Sequence, residues 1–305
     1  GFFNNRLSGT IEYYNTRTTD LIVKREINSV LGYEQMLDNL GETKSHGIDI
    51  SINGDVFRTK NFTWSLGANF SQYANEIVKI DNQVDENGKP LSQPGNSWFV
   101  GKPIHVYYDY LPDGIYQYED FDIKRNAYGK LEYTLKPTID TDGDGIADKA
   151  LTREDNVAPG SVKIKDVNGD GKINADDRTP ISRDPDSTLS PNTTLKWKGF
   201  DVYMDWYGVS GRKIRNGYLS ESNSGGSLQG KLNGVKVNYW TPFNPSNDFP
   251  RPTHNSNVTY QSALAIQDAS YIRLRTLQLG YTFPTAWIKK IQLQKLRVYA
   301  TATNL

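Results

Sequence analysis

The stretch Tyr271-Ile-Arg-Leu-Arg-Thr-Leu-Gln-Leu-Gly-Tyr-Thr-Phe283 decides the fold, because its apolar and polar residues alternate one by one. The odd positions from Leu277 to Phe283 are apolar, and the even positions between them are polar or small. Successive side chains of a β-strand point to opposite faces, so the alternation predicts a strand with one apolar and one polar face. Arg273 and Arg275 share the parity of Leu277. We therefore expect the apolar face to run from a basic rim through an apolar band to an aromatic end.

The same alternation recurs along the chain. One strand with a solvent-exposed end would explain the pattern at 271–283 alone, but it would not explain this recurrence. Apolar and polar residues alternate in six further segments, and helical spacing fits none of them. These segments cover residues 7–14, 48–56, 64–71, 194–198, 200–207 and 296–303. The chain is therefore predicted to be all-β, with about seven strands.

The connections between these segments fall into two length classes. Short connections lie around residues 58–61, at 198–199 and around 284–292, and long ones at about 28–41, 81–191 and 216–267. In a chain that runs up and down, every short connection then lies at one end and every long one at the other. Barrels of the outer membrane show this asymmetry, with short periplasmic turns and long extracellular loops. The pattern predicts an antiparallel transmembrane β-barrel in which segments 81–191 and 216–267 are extracellular.

The bulk composition excludes several other classes of protein. Lysine plus arginine and aspartate plus glutamate number 35 each, so no basic excess favours nucleic acid. No apolar run is long enough for a membrane-spanning helix, and the absence of cysteine removes disulfide and thiolate chemistry. The chain opens Gly-Phe-Phe without a secretory signal pattern. We expect either a cytoplasmic protein or a piece of a longer one.

Several groups of residues keep a recognisable order and spacing over nearly the whole chain. They are Arg6-Leu-Ser-Gly-Thr-Ile-Glu-Tyr-Tyr-Asn15 with Thr19-Asp-Leu21, Asn39-Leu-Gly-Glu42 with Gly47-Ile-Asp-Ile50, Pro159-Gly-Ser-Val-Lys-Ile-Lys-Asp-Val-Asn-Gly-Asp-Gly-Lys-Ile173 with Asp176-Asp-Arg178, Tyr271-Ile-Arg-Leu-Arg-Thr-Leu-Gln-Leu-Gly-Tyr281, and Leu296-Arg-Val-Tyr299 with Asn304-Leu305. Together, residues 1–305 resemble the C-terminal barrel region of SusC/RagA-type TonB-dependent outer-membrane transporters of Bacteroidetes.

The resemblance implies a barrel of about 22 strands with an N-terminal plug, energised by the TonB complex and surrounded by membrane lipid. It also implies a SusD-like surface lipoprotein that acts as a lid and captures glycans or peptides. The chain shows no plug and no TonB-contacting segment, and it stops at Asn304-Leu305, where the family continues into closing strands. About seven strands cannot close such a barrel, so we expect these residues to be one part of a longer wall.

The sharpest local motif runs from Asp166 to Asp177 and has the spacing of a calcium loop. Calcium takes six to eight oxygen ligands, and alternate residues on a tight loop aim their oxygens inward. The alternative is an Asp/Gly/Asn turn whose side chains only cap their own backbone. The predicted ligands are Asp166, Asn168, Asp170, the Lys172 carbonyl and Asp177.

A second acidic cluster lies just upstream, and it is incomplete as a calcium loop. The twelfth position would be Leu151, which cannot ligate, so Glu154 or Asp155 would have to fold back. Both clusters lie in the segment 81–191, and we therefore expect calcium to order an extracellular loop and not to act in catalysis. The predicted ligands of the second cluster are Asp140, Asp142, Asp144 and Asp148.

The sequence offers aromatic contacts for a ligand but no catalytic constellation. The three histidines are scattered, and no nucleophile elbow, P-loop or dinucleotide motif is present, so we expect no enzyme activity. Aromatic rings in the first long loop would stack on sugars, or else pack the loop itself or its lid. Trp240 and Phe243 would be apolar anchors in the second long loop. The candidate substrate contacts are Trp98, Tyr107, Tyr108 and Tyr110.

Two functions from different classes remain open at this point. The first is TonB-dependent import of oligosaccharides or peptides through the outer membrane, with this chain as wall and loops. The alternative is a secreted or surface β-sandwich binding module with calcium-stabilised loops. A glycan-cleaving enzyme lacks a positioned carboxylate pair. A sandwich requires a second sheet to cover the apolar face, whose test residues are Trp64, Leu66, Phe70, Met204 and Trp206.

Overall fold

The computed structural model describes residues 1–4, 6–26, 35–140, 144–217, 238–252 and 259–305. The chain separates into two compact units. The first comprises Gly1–Val106, Ser182–Arg212 and Ala269–Leu305, and the second comprises Tyr107–Ile181 and Lys213–Asp268. No helix within the described ranges is long and apolar enough to cross a membrane.

Strands dominate both units. In chain order they are β1 (Leu7–Glu26), β2 (Gln35–Arg58), β3 (Phe62–Lys79), β4 (Val106–Asp109), β5 (Pro112–Ile115), β6 (Phe121–Arg125), β7 (Leu131–Leu135), β8 (Thr152–Arg153), β9 (Val162–Ile164), β10 (Lys172–Ile173), β11 (Thr179–Ser182), β12 (Ser187–Trp197), β13 (Phe200–Ser210), β14 (Lys213–Arg215), β15 (Ile266–Asp268), β16 (Tyr271–Thr282) and β17 (Arg297–Thr303). The α-helices are α1 (Gln261–Leu264) and α2 (Thr285–Ile288), and 3₁₀ turns lie at Pro94–Asn96, Tyr118–Asp120, Ala175–Asp177 and Lys289–Ile291.

The first unit is built on one seven-stranded sheet, which we call the wall. Its strand order is β1-β2-β3-β12-β13-β16-β17, and every neighbouring pair is antiparallel. The three connections β2–β3, β12–β13 and β16–β17 lie at one end, and the other three leave from the opposite end. The prediction of seven antiparallel strands is confirmed. The predicted sorting of connections by length is not strict, because the β16–β17 connection is longer than the β1–β2 connection at the opposite end.

The tightest connection is the two-residue turn between β12 and β13. Lys198 has a φ of 45° and Gly199 a φ of 95°, which is the pair of positive values that a type I′ hairpin turn requires. A Cβ on Gly199 would lie 2.7 Å from the carbonyl oxygen of Thr282 on the neighbouring strand. Glycine at this position therefore allows both the turn and the close approach of β16.

The long connections are bounded differently from the sequence prediction. The first predicted loop was 81–191, but β12 begins at Ser187 and contains Pro191 in its interior. Proline lacks the N–H that a central strand normally donates, so the sequence favours ending a strand there. The loop predicted at 28–41 is also shorter, because β2 begins at Gln35. Strands β14 and β15 pair with each other and lie across the ends of the segment predicted at 216–267.

A β-bulge in β16 overturns the predicted basic rim on the apolar face. Asp205 of β13 pairs with Thr276, whereas the next residue, Trp206, pairs with Leu274, so Arg275 is an extra residue in its strand. Because of this extra residue, the residues of β16 that precede Arg275 point to the face opposite to the one that simple alternation predicts. Ile272 and Leu274 therefore share a face with Leu277, while Arg273 lies on the opposite, polar face.

The second unit encloses its own hydrophobic core. The core brings together residues from the segments 107–181 and 213–268, so the two long connections fold as one body. Small two-stranded sheets surround it, including β5 with β9, β6 with β7 and β8 with β10. The core residues are Tyr110, Ile115, Val162, Ile164, Ile173, Trp240 and Ala263, with Leu151, Tyr260 and Leu264 packed against them.

Candidate functional site

One face of the wall is apolar from edge to edge. The register places Leu66 opposite Gly54 and Thr193, and Thr193 opposite Met204, which in turn pairs with Leu277. On β16 this face runs from Ile272 to Phe283. At about 3.3 Å per residue and a strand tilt of about 40°, that run covers roughly 28 Å, close to the apolar band of about 25 Å in membrane barrels.

The apolar face ends in a row of aromatic rings beside the short connections. The rings of Phe200 and Tyr281 pack in a tilted arrangement with 4.5 Å between centroids, and Tyr281 meets Phe283 edge to face at 4.9 Å. Trp197 and Phe200 are each 54% exposed although they stand on central strands. Rings with an apolar body and a polar edge concentrate at membrane interfaces, so this row is an interfacial girdle.

In a β-sandwich a second sheet would cover the apolar face, but in this structure that face is exposed. Trp64 is 36% exposed and Leu66 is 43% exposed, while Phe70, Met204 and Trp206 are half-buried by their strand neighbours. Every other sheet within the described residues has two strands. A two-layer core is therefore absent from the part of the chain that the structure describes, and the sandwich interpretation is wrong.

The opposite face of the wall carries paired charges. Arg275 Nε donates to Asp205 Oδ2 at 2.6 Å, and Arg297 Nη2 donates to Asp201 Oδ2 at 2.5 Å. Ser65 Oγ donates to Asp55 Oδ1 at 2.7 Å on the same face. Polar groups on one side of a strand and apolar groups on the other are what a wall between lipid and an aqueous lumen needs.

Open cavities on the wall show which chemistry this polar face offers. One of about 260 Å³ is lined mainly by Glu12, Asp49, Ser51, Asn69 and Ser71. Hydroxyls, amides and carboxylates can hydrogen-bond to sugar hydroxyls and to peptide groups alike.

A second cavity, of about 430 Å³, lies at the end of the wall from which the long connections leave. It includes Tyr73, Asn75 and Asp184. Asn75 Nδ2 donates to the Tyr73 hydroxyl at 2.7 Å and to Asp184 Oδ2 at 2.9 Å. The contacts orient these groups at the rim of the polar face.

The residues of the predicted calcium loop are brought together on one turn. Asp166 accepts N–H groups from Gly169 at 2.7 Å and Gly171 at 2.8 Å. Asp177 is fully buried, and its two oxygens accept from the backbone of Val167 and Asn174 at 2.9 Å each. Asn168 and Asp170 complete the same turn.

Asn168 accepts from the Asp170 N–H at 3.0 Å, and Asp170 accepts from the Lys172 N–H at 2.7 Å. No group of three or more histidine, cysteine or acidic side chains within the described residues is arranged to hold a metal. The contacts are those of a turn whose side chains cap its own backbone, and calcium binding stays a prediction.

The second acidic cluster is described only in part, because Asp142 lies outside the described residues. Asp140 accepts from the Gly145 N–H at 2.8 Å, and Asp144 accepts from the Ile146 N–H at 2.8 Å. Asp148 closes the same hairpin, with its N–H donating to the Ile139 carbonyl at 2.9 Å.

The aromatic residues predicted to contact substrate do not form one cluster. Trp98 belongs to the first unit, whereas the three tyrosines belong to the second. Tyr110 is buried in the core, with its ring centroid 4.7 Å from that of Tyr260. The Tyr107 hydroxyl accepts from the Arg215 N–H at 2.9 Å, and Tyr108 is half-buried.

The two predicted apolar anchors of the second long connection have opposite environments. Trp240 is in the core, and its Nε1 donates to Gln117 Oε1 at 2.8 Å, so it is not an exposed anchor. Phe243 is 98% exposed at the tip of a turn closed by reciprocal hydrogen bonds between Thr241 and Asn244.

Sequence reasoning missed the ion-paired residue that organises the second unit. The Arg153 side chain is 1% exposed, donates to both Asp155 oxygens at 2.8 Å and to the Val162 carbonyl at 2.7 Å, and lies over the rings of Tyr116 and Tyr260. Burial acts to lower the pKa of Arg153, but the hydrogen bond and charge of Asp155 outweigh it and raise that pKa. Burial raises the pKa of Tyr260, and the positive charge of Arg153 offsets part of that rise.

Comparison with solved structures defines the class. The structure of the RagAB peptide transporter matches with a TM-score of 0.64 and 23% identity, over 99% of this chain and 30% of that one. The RagAB peptide importer in its open-open state gives a TM-score of 0.65 at 23% identity. At this identity the match shows the fold alone. The two-faced sheet has the fold of part of a β-barrel wall.

Comparison of sequences defines the family. Residues 2–149 match the family described as TonB dependent receptor-like, beta-barrel. TonB-dependent receptor P3 of Formosa agariphila is 30% identical over 99% of this chain and 28% of its own length, and SusC of Bacteroides thetaiotaomicron is 25% identical over 100% and 27%. The chain spans about three tenths of the length of these relatives. Over its whole length it is similar to TonB-dependent receptors of the SusC/RagA type, which are β-barrels of the outer membrane.

Proposed function

We propose that this chain forms part of the wall of an outer-membrane importer that is driven by TonB and carries oligosaccharides or peptides. The observation that carries the proposal is the wall itself, with Leu66 and Trp64 exposed on an apolar face and the pair Asp205–Arg275 on the other face. A soluble module would gain nothing from an uncovered apolar face of this extent. A lipid-facing wall around a polar lumen explains both faces at once.

The substrate class follows from the polar face. The cavity lined by Asn69, Ser71 and Asp49 presents hydroxyl, amide and carboxylate groups and no basic side chain. These groups match neutral or cationic polar molecules that offer many hydrogen bonds. Oligosaccharides and peptides both meet this description, and the RagAB relatives are described as peptide transporters.

The proposed partners are a SusD-like surface lipoprotein as a lid and the TonB complex acting through a plug. Phe243 supports the lid, because a fully exposed phenylalanine on a hydrogen-bonded turn is an apolar group held ready for burial. The relative SusC supports the family assignment on which the plug and TonB depend.

Calcium at the turn 166–177 is proposed as a structural ion that orders the second unit. Its support is the spacing of Asp166, Asn168, Asp170 and Asp177 and their convergence on one turn. Extracellular calcium modules typically bind with Kd values around 10⁻⁴ to 10⁻³ M, so the ion would be bound outside the cell and lost in chelator.

Uptake by cells tests the import function. Cells producing the intact receptor that contains this chain, with its lipoprotein, are given fluorescent oligosaccharides or peptides, with and without collapse of the proton-motive force. We expect energy-dependent uptake of one of the two classes, and its loss when Leu66→Arg is introduced on the lipid face. Uptake that persists without the proton-motive force, or no uptake of either class by a correctly inserted receptor, would contradict the proposal.

A further inference from the structure

The charges of this chain are strongly separated along its length although they sum to zero. The three connections at the girdle end, residues 59–61, 198–199 and 283–296, contain five lysines and no acidic residue. The connection 80–186 at the other end contains 21 acidic and 13 basic residues. The girdle end of the wall is therefore its basic end. We call its lysines the basic collar, and they are Lys60, Lys198, Lys289, Lys290 and Lys295.

Neighbouring acids do not neutralise the collar, because those at the adjoining strand ends already have partners. Asp201 is paired with Arg297 at 2.5 Å, and Asp55 accepts from Ser65 at 2.7 Å and from Arg58 at 3.5 Å. The collar lysines are exposed on three different connections along the wall.

The collar stands directly beside the aromatic girdle. The ammonium group of Lys198 lies 5.4 Å from the ring centroid of Trp197, which stands on the lipid-facing side of β12. An ammonium group next to an interfacial indole lies at the level where lipid phosphates are found.

The β16–β17 connection adds an amphipathic segment at the same level. Trp287 is 63% exposed and Ile291 is 62% exposed, and Lys289 and Lys290 lie between them in the sequence. Ile288, between the same two residues, is buried. Exposed apolar residues interleaved with lysines are typical of segments that lie in a membrane interface, with the apolar side chains among acyl chains and the lysines on headgroups.

We infer that the girdle end of the wall, and the β16–β17 connection above all, binds the anionic headgroups of the phospholipid leaflet that surrounds it. A leaflet offers phosphates above acyl chains at one height around the whole wall, which is how the lysines and the aromatic rings are arranged. An acidic protein would have to match three separate connections at once. The headgroup charge would fix the depth and tilt of the wall in its membrane.

Electron-spin resonance of spin-labelled lipids tests this inference on the intact receptor that contains this chain, reconstituted in lipid bilayers. Phosphatidylglycerol and phosphatidylcholine carrying the same label are compared for association with the protein. We expect a preference for phosphatidylglycerol that falls by roughly fivefold for each lysine removed in Lys198→Gln and in Lys289→Gln with Lys290→Gln, and that weakens as salt is raised. The matched control removes two lysines of the β6–β7 hairpin, Lys124→Gln with Lys130→Gln, and leaves the preference unchanged.

A second readout does not depend on the lysine variants. Phosphatidylglycerol brominated near its headgroup should quench the fluorescence of Trp287, and the quenched component should disappear in Trp287→Phe. Equal association of the two lipids with the unmodified protein would overturn the inference, and so would an equal loss in the hairpin control. If no component of the fluorescence from Trp287 is quenched, the β16–β17 connection does not contact the lipid headgroups, and that part of the inference is wrong.

Discussion

Arg275 donates a hydrogen bond of 2.6 Å to Asp205 on the polar face of the wall, although its parity in the sequence is that of the apolar face. The bulge in β16 produces this pairing, and the Asp205 side chain is only 7% exposed while that of Arg275 is 48% exposed. Removal of the arginine therefore leaves a buried carboxylate without its charged partner.

We expect Arg275→Gln to lower the free energy of unfolding by about 1–3 kcal/mol, and Asp205→Asn to cost less because it leaves no buried charge. Thermal unfolding in detergent, followed by circular dichroism, measures both, and the double variant gives the coupling between the two residues. Arg273→Gln, on the same face but outside the bulge, is the control with a change below about 0.5 kcal/mol. Equal losses from Arg273 and Arg275 would show that the ion pair contributes nothing.

The same new charge should lower the stability much more on one face of β3 than on the other. Leu66→Arg places a guanidinium in the middle row of the apolar face and should cost about 2–4 kcal/mol, as charges at the midplane of barrel walls do. Asn69→Arg lies three residues along on the polar face and should change stability by less than about 1 kcal/mol. Urea titration after folding into phosphatidylcholine vesicles gives both values. A larger cost at Asn69 than at Leu66 would reverse the assignment of the faces.

Alternation predicted the wall because every strand needs one apolar face and one polar face. This need produces a local pattern of alternating residues, as in Leu195–Trp197 and Phe200–Trp206. The bulge at Arg275 could not be predicted in this way, since it depends on which residue of β13 stands opposite. Pro191 misled the boundary of β12 for a related reason. A proline ends most strands, and only the pairing of its neighbours Ser190 and Asn192 with β3 shows that this strand continues.

The site was less predictable than the fold because its groups meet across long sequence separations. Asp201 and Arg297 are 96 residues apart and meet through the register of β13, β16 and β17. Tyr110 reads as an exposed stacking residue in a tyrosine-rich stretch, but it lies in a core completed by Trp240 and Ala263 from the other long connection. Local composition gave no signal that these two segments fold together.

Arg153 should be the most sensitive residue of the second unit. Arg153→Ala removes a buried charge that satisfies Asp155 and the Val162 carbonyl, and we expect a loss of about 3 kcal/mol. Arg153→Lys should recover little, because an ammonium group cannot donate to both Asp155 oxygens in a fork. Limited proteolysis of residues 107–181 reports the loss, and exposed Arg125→Ala is the control. Full resistance of the Arg153→Ala protein would contradict the prediction.

The second unit should lose stability in alkaline solution. Burial raises the pKa of Tyr260, so the phenol stays protonated in the folded protein at a pH where an unfolded tyrosine, with a pKa of about 10, ionises. Its contribution is fully present below that value and is lost as pH rises through the folded pKa. Tyr260→Phe should flatten this alkaline loss in pH-dependent unfolding curves, whereas Tyr128→Phe, at a 95% exposed position, should not. Identical alkaline slopes in all three proteins would place the titration elsewhere.

Calcium should raise the resistance of the second unit to proteolysis at millimolar concentration if the turn 166–177 binds it. Asp170 and Asp177 are the informative positions, because Asp170 is exposed and accepts one backbone N–H, whereas Asp177 is buried and accepts two. Asp170→Asn should abolish the calcium response and leave the calcium-free protein unchanged, whereas Asp177→Asn should destabilise the turn even in chelator. Calorimetric titration of the full chain measures binding directly. Absence of binding heat from the unmodified protein would show that the spacing encodes only a self-capped turn, and the buried Asp177 would then be explained by its backbone contacts alone.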